Sequence, residues 1–96
     1  MSQELEHKKL ERIIKGFANH RRLQILELLE KEPELSVQEI SKQLKSEMKN
    51  ISAHITKLAI AGLLMKRSDS KSIRHKLTKR GIIILKFVRM REWKMQ

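Results

Sequence analysis

Apolar side chains recur every three or four residues between positions 46 and 64, which is the spacing of one face of an α-helix. This stripe consists of Ile51, Ile55, Leu58 and Ala59. The intervening positions are polar or small and are expected to face outward: Lys49, Asn50, Ser52, Ala53, Thr56 and Lys57. The pattern predicts a helix with one apolar side and one side that is rich in hydrogen-bonding groups and poor in acidic ones.

Capping residues set the expected ends of this helix. Ser46 is predicted to cap the N-terminus with its hydroxyl group, and Glu47 places negative charge at the positive end of the helix dipole. Gly62 is predicted to end the helix, because glycine adopts the left-handed conformation at low cost. The helix is therefore expected at about residues 47–61.

Two helices are expected before it. Residues 3–17 place apolar side chains on one side and charged side chains on the other. Asn19 is predicted to cap a second helix at about residues 20–31, and Pro33 prevents that helix from continuing. Apolar residues occupy more than one face of this second helix, so it is expected to lie at the centre of the fold.

A third helix is expected to begin at Ser36. Ser36 and Glu39 have the spacing of a capping box, in which each side chain accepts a hydrogen bond from the backbone of the other residue. The helix is expected to end near Lys45, about two residues before the helix at 47–61 begins. Two helices joined so closely form a helix-turn-helix, in which the second helix is presented outward.

An alternating pattern after Gly62 predicts a β-hairpin at about residues 64–77. Residues 73–77 alternate apolar and charged side chains, and the polar stretch 68–72 is typical of a turn. The hairpin carries five basic residues: Lys66, Arg67, Lys71, Arg74 and Lys76. We interpret it as a wing that contacts phosphates or an adjacent minor groove. The alternative interpretation is a solvated loop with incidental charge.

Thr78 is predicted to cap a final helix that extends to about Met95. Apolar residues cover more than one face of this helix, and a terminal helix of a monomer does not need that much apolar surface. We therefore expect one side to pack on the domain and another, together with the first helix, to form a homodimer interface. The predicted interface residues are Leu5, Leu10, Ile13, Ile83, Phe87, Met90 and Trp93. The alternatives are a fully buried helix in a monomer and a surface that binds a different protein.

Positive charge is concentrated in the last third of the chain. The 96 residues hold 22 Lys and Arg against 11 Asp and Glu, for a net charge of +11. Residues 65–96 alone hold eleven basic and two acidic groups, or +9. The expected partner is therefore a polyanion. Two phenylalanines, one tryptophan and no tyrosine argue against a single-strand binder, which stacks bases on exposed rings.

An exposed polar helix beside a basic hairpin has the features of a protein that reads double-stranded DNA. Asn50 can pair bidentately with adenine, and Lys49 can donate to guanine or to phosphate. Besides the five wing residues, the predicted DNA contacts are Ser46, Met48, Lys49, Asn50, Ser52, Ala53, His54 and Lys57. For His54, a structural hydrogen bond and a phosphate contact are equally expected. The alternative function is architectural binding, held by charge with little reading of bases.

The order of these elements resembles the winged helix-turn-helix repressors of the ArsR type, with the MarR type as a near relative. The matching stretches are NHRRLQIL at 19–26, LSVQEI at 35–40, ISAHI at 51–55 with Leu58, AGL at 61–63, and Leu77-Thr78 with Gly81. They cover nearly the whole chain from about residue 12. The resemblance implies a mainly α fold with a small β-hairpin in a single domain, residues 1–96. It also implies a dimeric transcriptional regulator that binds operator DNA.

The chain departs from the metal-sensing members of that family. Those members place two cysteines at the start of the third helix, where this chain has Ser36 and Gln38. Others use Asp and His ligands on the last helix, and residues 79–96 contain neither. The chain has no cysteine, and its four histidines lack ligand spacing. No metal or other cofactor is therefore expected.

The sequence also lacks the marks of an enzyme and of a membrane protein. Asp69 is the only aspartate, and the three glycines stand apart, so neither a catalytic constellation nor a phosphate-cradling loop is expected. The N-terminus has no signal-peptide core, and no apolar run is long enough to span a bilayer. We expect a cytoplasmic protein that is associated with the nucleoid when it is bound to DNA.

Overall fold

The computed structural model describes residues 2–90, and these fold into helices and one antiparallel hairpin. The elements are α1 (Gln3–Phe17), α2 (His20–Lys31), α3 (Val37–Leu44), α4 (Met48–Ile60), β1 (Leu64–Ser68), β2 (Ile73–Leu77) and α5 (Lys79–Val88). This order is the predicted one, so the expected fold class is confirmed for the described part of the chain.

Side-chain caps begin three of the helices where the sequence predicts them. Asn19 accepts two backbone N–H groups of the first turn of α2 at 3.0 and 3.1 Å. Ser36 and Glu39 form the capping box, with bonds of 3.2 and 2.9 Å. Thr78 accepts a backbone N–H of the first turn of α5 at 3.1 Å. These bonds satisfy backbone donors that the helices leave unpaired.

The predicted cap at Ser46 is wrong. The residue before α4 is Glu47, and α4 has no side-chain cap. The reason is the tight turn between α3 and α4, in which Lys45 adopts a left-handed conformation with φ 53°. Within that turn the carbonyl of Ser46 accepts the hydroxyl of Ser41 at 2.5 Å, and its N–H donates to the carbonyl of Ser41 at 3.0 Å. The backbone groups of Ser46 therefore close the turn, and its side chain does not cap α4.

The end of the last helix also differs from the prediction. Helix α5 ends at Val88, and Arg89 caps it, so the predicted extent to Met95 is wrong at residues 89 and 90. No glycine or proline marks this end in the sequence. The predicted interface residue Trp93 lies outside the described residues.

The core forms around α2 and the inner side of α4. Ile51, Ile55 and Leu58, the predicted stripe of α4, are almost completely buried. They pack with buried residues of α2, α3, α5, the hairpin and the segment before it: Ile25, Leu26, Leu29, Ile40, Leu63, Leu64, Leu77 and Leu85. Ile13 and Phe17 of α1 pack against this cluster. Helix α1 packs chiefly on α4, and α5 packs on α2 and β2. The helix with apolar residues on several faces is therefore central, as predicted.

Gly62 ends α4 as the sequence predicts. Its φ is +76°, and its N–H donates to the carbonyl of Ala59 at 3.0 Å. The N–H of Leu63 donates to the carbonyl of Leu58 at 2.9 Å, and both leucine side chains are buried. This pair of bonds is a Schellman motif, which turns the chain sharply from the helix into β1.

The wing (residues 64–77) is bonded to the rest of the domain on two sides. In β2, His75 donates its backbone N–H to the carbonyl of Leu35 at 3.0 Å, and Glu34 donates its N–H to the carbonyl of His75 at 2.9 Å. At the base of the wing, Thr78 donates its N–H to the carbonyl of Leu63 at 3.1 Å. The wing therefore extends the helix-turn-helix as an attached element.

His75 is an exception to the alternation of apolar and charged residues in β2. Its side chain is 1% exposed and lies on the same face of the hairpin as the buried Leu64 and Leu77. Its Nδ1 lies 2.8 Å from the carbonyl oxygen of Leu35. The imidazole therefore serves as a core residue that fastens β2 to the loop before α3.

None of the helices in the described part of the chain is both long enough and apolar enough to cross a lipid bilayer.

Candidate nucleic-acid interface

The outward side of α4 presents the side chains that the sequence predicts for DNA contact. Lys49 and Asn50 are exposed and lie outside the buried stripe that holds α4 on the core. The other exposed positions of α4 in this set are Met48, Ser52, Ala53 and Lys57. Because the inner side is fixed by packing, these side chains stand on a rigid support. The predicted contact Ser46 is half-buried in the turn before the helix.

One edge of α4 faces the wing. Ser52 and Thr56 line a cavity of about 180 Å³ between α4 and β2, and Lys66 and Ile73 of the wing line its other side. The hydroxyl of Thr56 donates to the carbonyl of Ser52 at 3.0 Å, within the helix. The cationic Lys66 therefore lies beside the polar face of α4, and the two elements form one continuous surface.

The other edge of α4 faces α2 through His54. The half-buried His54 accepts a hydrogen bond at Nδ1 from Nε of Arg22, with a distance of 3.2 Å. Burial, and then the positive charge of Arg22, lower the pKa of His54 below its usual value. A neutral ring with an accepting Nδ1 is consistent with that shift. Of the two expected roles of His54, the structural hydrogen bond is present.

The arginines of the wing are held by acidic groups of the protein itself. Arg67 pairs with the Glu34 carboxylate at 2.8 Å. Arg74 donates to the carboxylate of Asp69 at 2.6 Å and to the backbone carbonyl of Glu34 at 3.0 Å. These contacts position the wing and offset part of its charge.

The lysines of the wing are exposed cations. Lys66, Lys71 and Lys76 form no ion pair with any of residues 2–90. Their ammonium groups stand on both strands and at the turn. The structure therefore divides the five predicted wing cations into two arginines with internal partners and three lysines directed to solvent.

Three arginines that the sequence analysis did not single out cap the C-termini of helices. Arg21 donates to the carbonyl of Leu44 at the end of α3, at 3.2 Å. Arg80 donates to the carbonyl of Ala61 after α4, at 2.9 Å. Arg22 donates to the carbonyls of Lys15 and Gly16 at the end of α1, at 3.0 and 3.1 Å. Part of the positive charge therefore complements helix dipoles. Sequence reasoning did not find these roles, because the acceptors are backbone carbonyls of other helices, and those of Arg21 and Arg80 lie 23 and 19 positions away.

The predicted interface residues of α1 and α5 leave much apolar surface in solvent. Leu10 is 54% exposed and Ile83 is 62% exposed. Leu5, Phe87 and Met90 are exposed to a similar degree, whereas Ile13 packs against the core. The apolar positions of these helices therefore serve two surfaces, one inside the domain and one outside.

Residues 2–90 contain no group of three or more His, Asp or Glu side chains that could hold a metal ion. Ser36, at one of the positions where metal-sensing relatives have cysteine, is engaged in the capping box of α3. The arrangement of exposed helix, wing and lysines instead suits recognition of an extended anion.

Comparison with known proteins identifies the family of the chain. A family model described as HVO_A0114 matches residues 18–84. The chain belongs to the HVO_A0114 family. No curated protein sequence matches this family member significantly.

Solved structures similar to this HVO_A0114 family member include some that are described as transcriptional regulators. Reduced HlyU from Vibrio cholerae N16961 is 31% identical, with a TM-score of 0.75 and coverage of 91% of this chain and 94% of that one. The homodimeric winged helix-turn-helix DNA-binding domain of Mb0332 from Mycobacterium bovis, a possible ArsR-family transcriptional regulator, is 25% identical. Its TM-score is 0.82, with coverage of 92% and 83%. NolR from Sinorhizobium fredii is 26% identical, with a TM-score of 0.80 and coverage of 92% and 90%.

These similarities confirm the expected resemblance to ArsR-type winged helix-turn-helix regulators. They extend over the helix-turn-helix, the wing and the flanking helices. In this HVO_A0114 family member, α3 and α4 are therefore the helix-turn-helix, and β1 and β2 are the wing.

Proposed function

We propose that this protein is a homodimeric transcriptional regulator that binds a specific sequence of double-stranded DNA. In this proposal α4 lies in the major groove, and the wing contacts phosphates or the adjacent minor groove. The observation that carries the proposal is the exposure of Lys49 and Asn50 on a helix whose opposite side is buried. A helix fixed in this way can present a constant pattern of donors and acceptors to base edges.

Asn50 and Lys49 are the proposed base-reading residues. The amide of Asn50 can both donate to and accept from adenine, whereas the ammonium of Lys49 donates to guanine or to phosphate. A well-placed bidentate contact contributes about 1–3 kcal/mol of discrimination between bases. Ser52 and Ala53 are also exposed on α4, where the hydroxyl and the methyl group suit polar and thymine-methyl contacts respectively.

The wing lysines are the proposed phosphate contacts. Lys66, Lys71 and Lys76 have no ion-pair partner among residues 2–90, so binding to phosphate would not require an internal pair to break. Arg67 and Arg74 serve in this proposal to hold the wing in place through Glu34 and Asp69. Phosphate contacts fix the register of the protein on the duplex but carry no base information themselves.

Dimerisation through α1 and α5 would double this surface. The exposed apolar side chains of these helices, including Leu10 and Ile83, would be covered by a second copy. The Mb0332 domain with the same fold is a homodimer. Two-fold pairing would place the recognition helices about one DNA turn, roughly 34 Å, apart and favour a palindromic site.

Selection of binding sites from a random DNA pool tests the proposal directly. The enriched sequence should contain two related half-sites, and the protein should prefer it over scrambled competitor DNA by ~10³-fold or more. An architectural protein would bind both DNAs almost equally, and that result would refute sequence-specific regulation.

Two single substitutions separate base reading from phosphate binding. Asn50→Ala should relax the preference at one base position in each half-site and leave the salt dependence unchanged. Lys71→Ala should weaken binding to every sequence and reduce the slope of log K against log salt by about one. If both variants change binding in the same way, Asn50 does not read a base.

A further inference from the structure

Four cationic side chains from three helices surround one cavity, where the end of α1 meets the end of α4. The cavity has a volume of about 250 Å³. Its lining consists of Arg12, Lys15, Gly16, Arg22, Lys57, Ile60 and Ala61. None of these residues is acidic, so an anion entering the cavity would meet attraction from several sides.

Close packing at a glycine creates this junction. A Cβ at Gly16 would lie 2.4 Å from Cβ of Ala61, so the last turn of α1 touches the end of α4 directly. Arg22 crosses beneath this contact and donates Nη1 to the carbonyls of Lys15 and Gly16. The position of its guanidinium is therefore set by the fold before any ligand arrives.

The cations at this junction differ in their internal partners, since Arg22 already donates to the carbonyls of Lys15 and Gly16. Arg12 and Lys57 form no ion pair with any of the described residues, and the pair of Lys15 with Glu11 at 3.1 Å lies in solvent. Solvent-exposed pairs of this kind contribute little. A second cavity of about 340 Å³ shares Arg12, Ile60 and Ala61 with the first and is also lined by Arg80. The two cavities together form a cationic groove along the end of α4.

The groove also has an apolar wall. Ile60 is 69% exposed, although it ends a helix whose other isoleucines are buried, and it lines both cavities. An organic acid carries a carboxylate and an adjoining apolar chain in one molecule, which matches the cations and Ile60.

We propose that this cavity binds a small organic carboxylate. The carboxylate lies among Arg12, Lys15 and Lys57, and the hydrocarbon chain covers Ile60. Charge-assisted hydrogen bonds to the carboxylate supply most of the selectivity, and removal of Ile60 from water adds affinity. Arg12 lies about 160° around α1 from Leu10 and Ile14 by helix geometry, so the site faces away from the part of α1 that those two residues form.

Two cations of the site belong to α4 or contact it directly, so a bound ligand can affect the helix that is proposed to bind DNA. Arg22 lines the cavity and bonds His54 of α4 through Nε at 3.2 Å, while Lys57 belongs to α4 itself. A carboxylate that draws either cation toward the cavity changes the contacts that hold this edge of α4. The ligand is therefore an effector of DNA binding, and this part of the inference rests on the proposed function. Its coupling to DNA must be reciprocal.

Titration of the full-length protein with hexanoate, without DNA, tests the binding site. Amide chemical shifts of Gly16 and Ala61 should change and saturate, and the neutral hexanamide should bind about tenfold more weakly. Arg12→Gln should raise the Kd for hexanoate by about tenfold, because one charge-assisted contact is lost. Lys86→Gln, which removes an exposed cation from α5 instead, should leave that Kd within about twofold.

Three results would overturn the proposed site. Hexanoate and hexanamide could bind equally, inorganic phosphate could bind as tightly as hexanoate, or Arg12→Gln could leave hexanoate binding unchanged. The first two would show that the site does not select an organic anion, and the third would place the anion elsewhere. If hexanoate fails to bind while Arg12→Gln weakens binding to DNA, the groove is a surface for the DNA backbone.

DNA-binding measurements at constant ionic strength then test the effector role. Replacing chloride by hexanoate should change the affinity for the selected DNA site, and bound DNA should change the affinity for hexanoate by the same factor. The Arg12→Gln variant should lose this coupling while it still binds DNA. If hexanoate binds but no DNA does, the proposed function and the effector role both fail, and the carboxylate site is retained.

Discussion

The guanidinium of Arg74 lies 2.6 Å from the carboxylate of Asp69, across the turn at the end of the wing. The same carboxylate accepts the backbone N–H groups of Lys71 and Ser72, both at 2.8 Å. The bond from Arg74 and the two backbone bonds hold the pKa of Asp69 well below its usual range. One side chain therefore organises the turn and positions a cation of the wing.

Replacing Asp69 should loosen the wing without unfolding the domain. In Asp69→Ala, the amides of Lys71 and Ser72 lose their acceptor, so their hydrogen exchange should become several-fold faster. Ser70→Ala, a substitution in the same turn, should leave their exchange almost unchanged. Amide exchange measured by NMR gives the comparison, and equal rates in Asp69→Ala and the unaltered protein would contradict this role.

The close contact of Gly16 with Ala61 should make the two positions interdependent. Gly16→Ala forces a Cβ to within 2.4 Å of Cβ of Ala61 and should destabilise the protein by about 1–3 kcal/mol, despite the better helix propensity of alanine. Adding Ala61→Gly should recover part of that loss, because it removes the opposing methyl group. Urea denaturation of the single and double variants measures the coupling, and strict additivity would show that the two positions do not clash.

Acidification should destabilise the protein through His75. Burial lowers the pKa of His75 below its usual value, more than the bond to the Leu35 carbonyl raises it. The unfolded chain therefore takes up a proton at higher pH than the folded protein does. The neutral His75 ring therefore stabilises the folded protein fully above the ordinary histidine pKa of about 6.5. This contribution to the free energy of unfolding is lost as the pH falls toward the lower pKa that His75 has in the folded protein.

Substitutions separate the contribution of His75 to the pH dependence of stability from that of other titrating groups. His75→Gln should be less stable than the unaltered protein at pH 7.5, and the difference should shrink at pH 5. His54→Gln is the matched comparison, since the pKa of His54 is also lowered but its ring is only half-buried. Denaturant midpoints at both pH values measure the change, and parallel pH profiles for His75→Gln and the unaltered protein would exclude His75 as the cause.

The exposed apolar faces of α1 and α5 should control oligomeric state. Ile83 is 62% exposed, so Ile83→Glu should be tolerated by an isolated subunit and should disrupt a dimer by burying a charge at its interface. Met65→Glu introduces the same charge at a position on the wing that is 48% exposed, and it should remain dimeric. Sedimentation at micromolar concentration distinguishes these states. A monomeric unaltered protein would instead indicate that the apolar faces bind a different protein.

Local chemistry explains why much of the fold could be predicted from the sequence. Asn19, Ser36 and Thr78 cap helices within a few residues of themselves, and Gly62 supplies the one glycine with positive φ. The spacing of the apolar residues of α4 is likewise apparent from a short stretch of sequence. Each of these signals acts between near neighbours, so it does not depend on knowing the rest of the structure.

The incorrect and missing predictions involve contacts that sequence patterns do not show. Ser46 was expected to cap a helix, but its backbone is used by Ser41 in the turn. The pairing of Arg67 with Glu34, and the bond from Arg22 to His54, join residues more than 30 positions apart. Sequence patterns identify these side chains as charged or polar, but only the folded chain shows which of them are already engaged.

The bonds from β2 to the loop before α3, and from Thr78 to the end of α4, have a mechanical consequence. They attach the hairpin to both ends of the helix-turn-helix, so the hairpin and the helix-turn-helix must tilt together. In the proposed homodimer, α4 and the wing of one subunit would therefore move as one rigid unit. Adaptation to a longer or shorter gap between half-sites would then come from rotation of one subunit against the other.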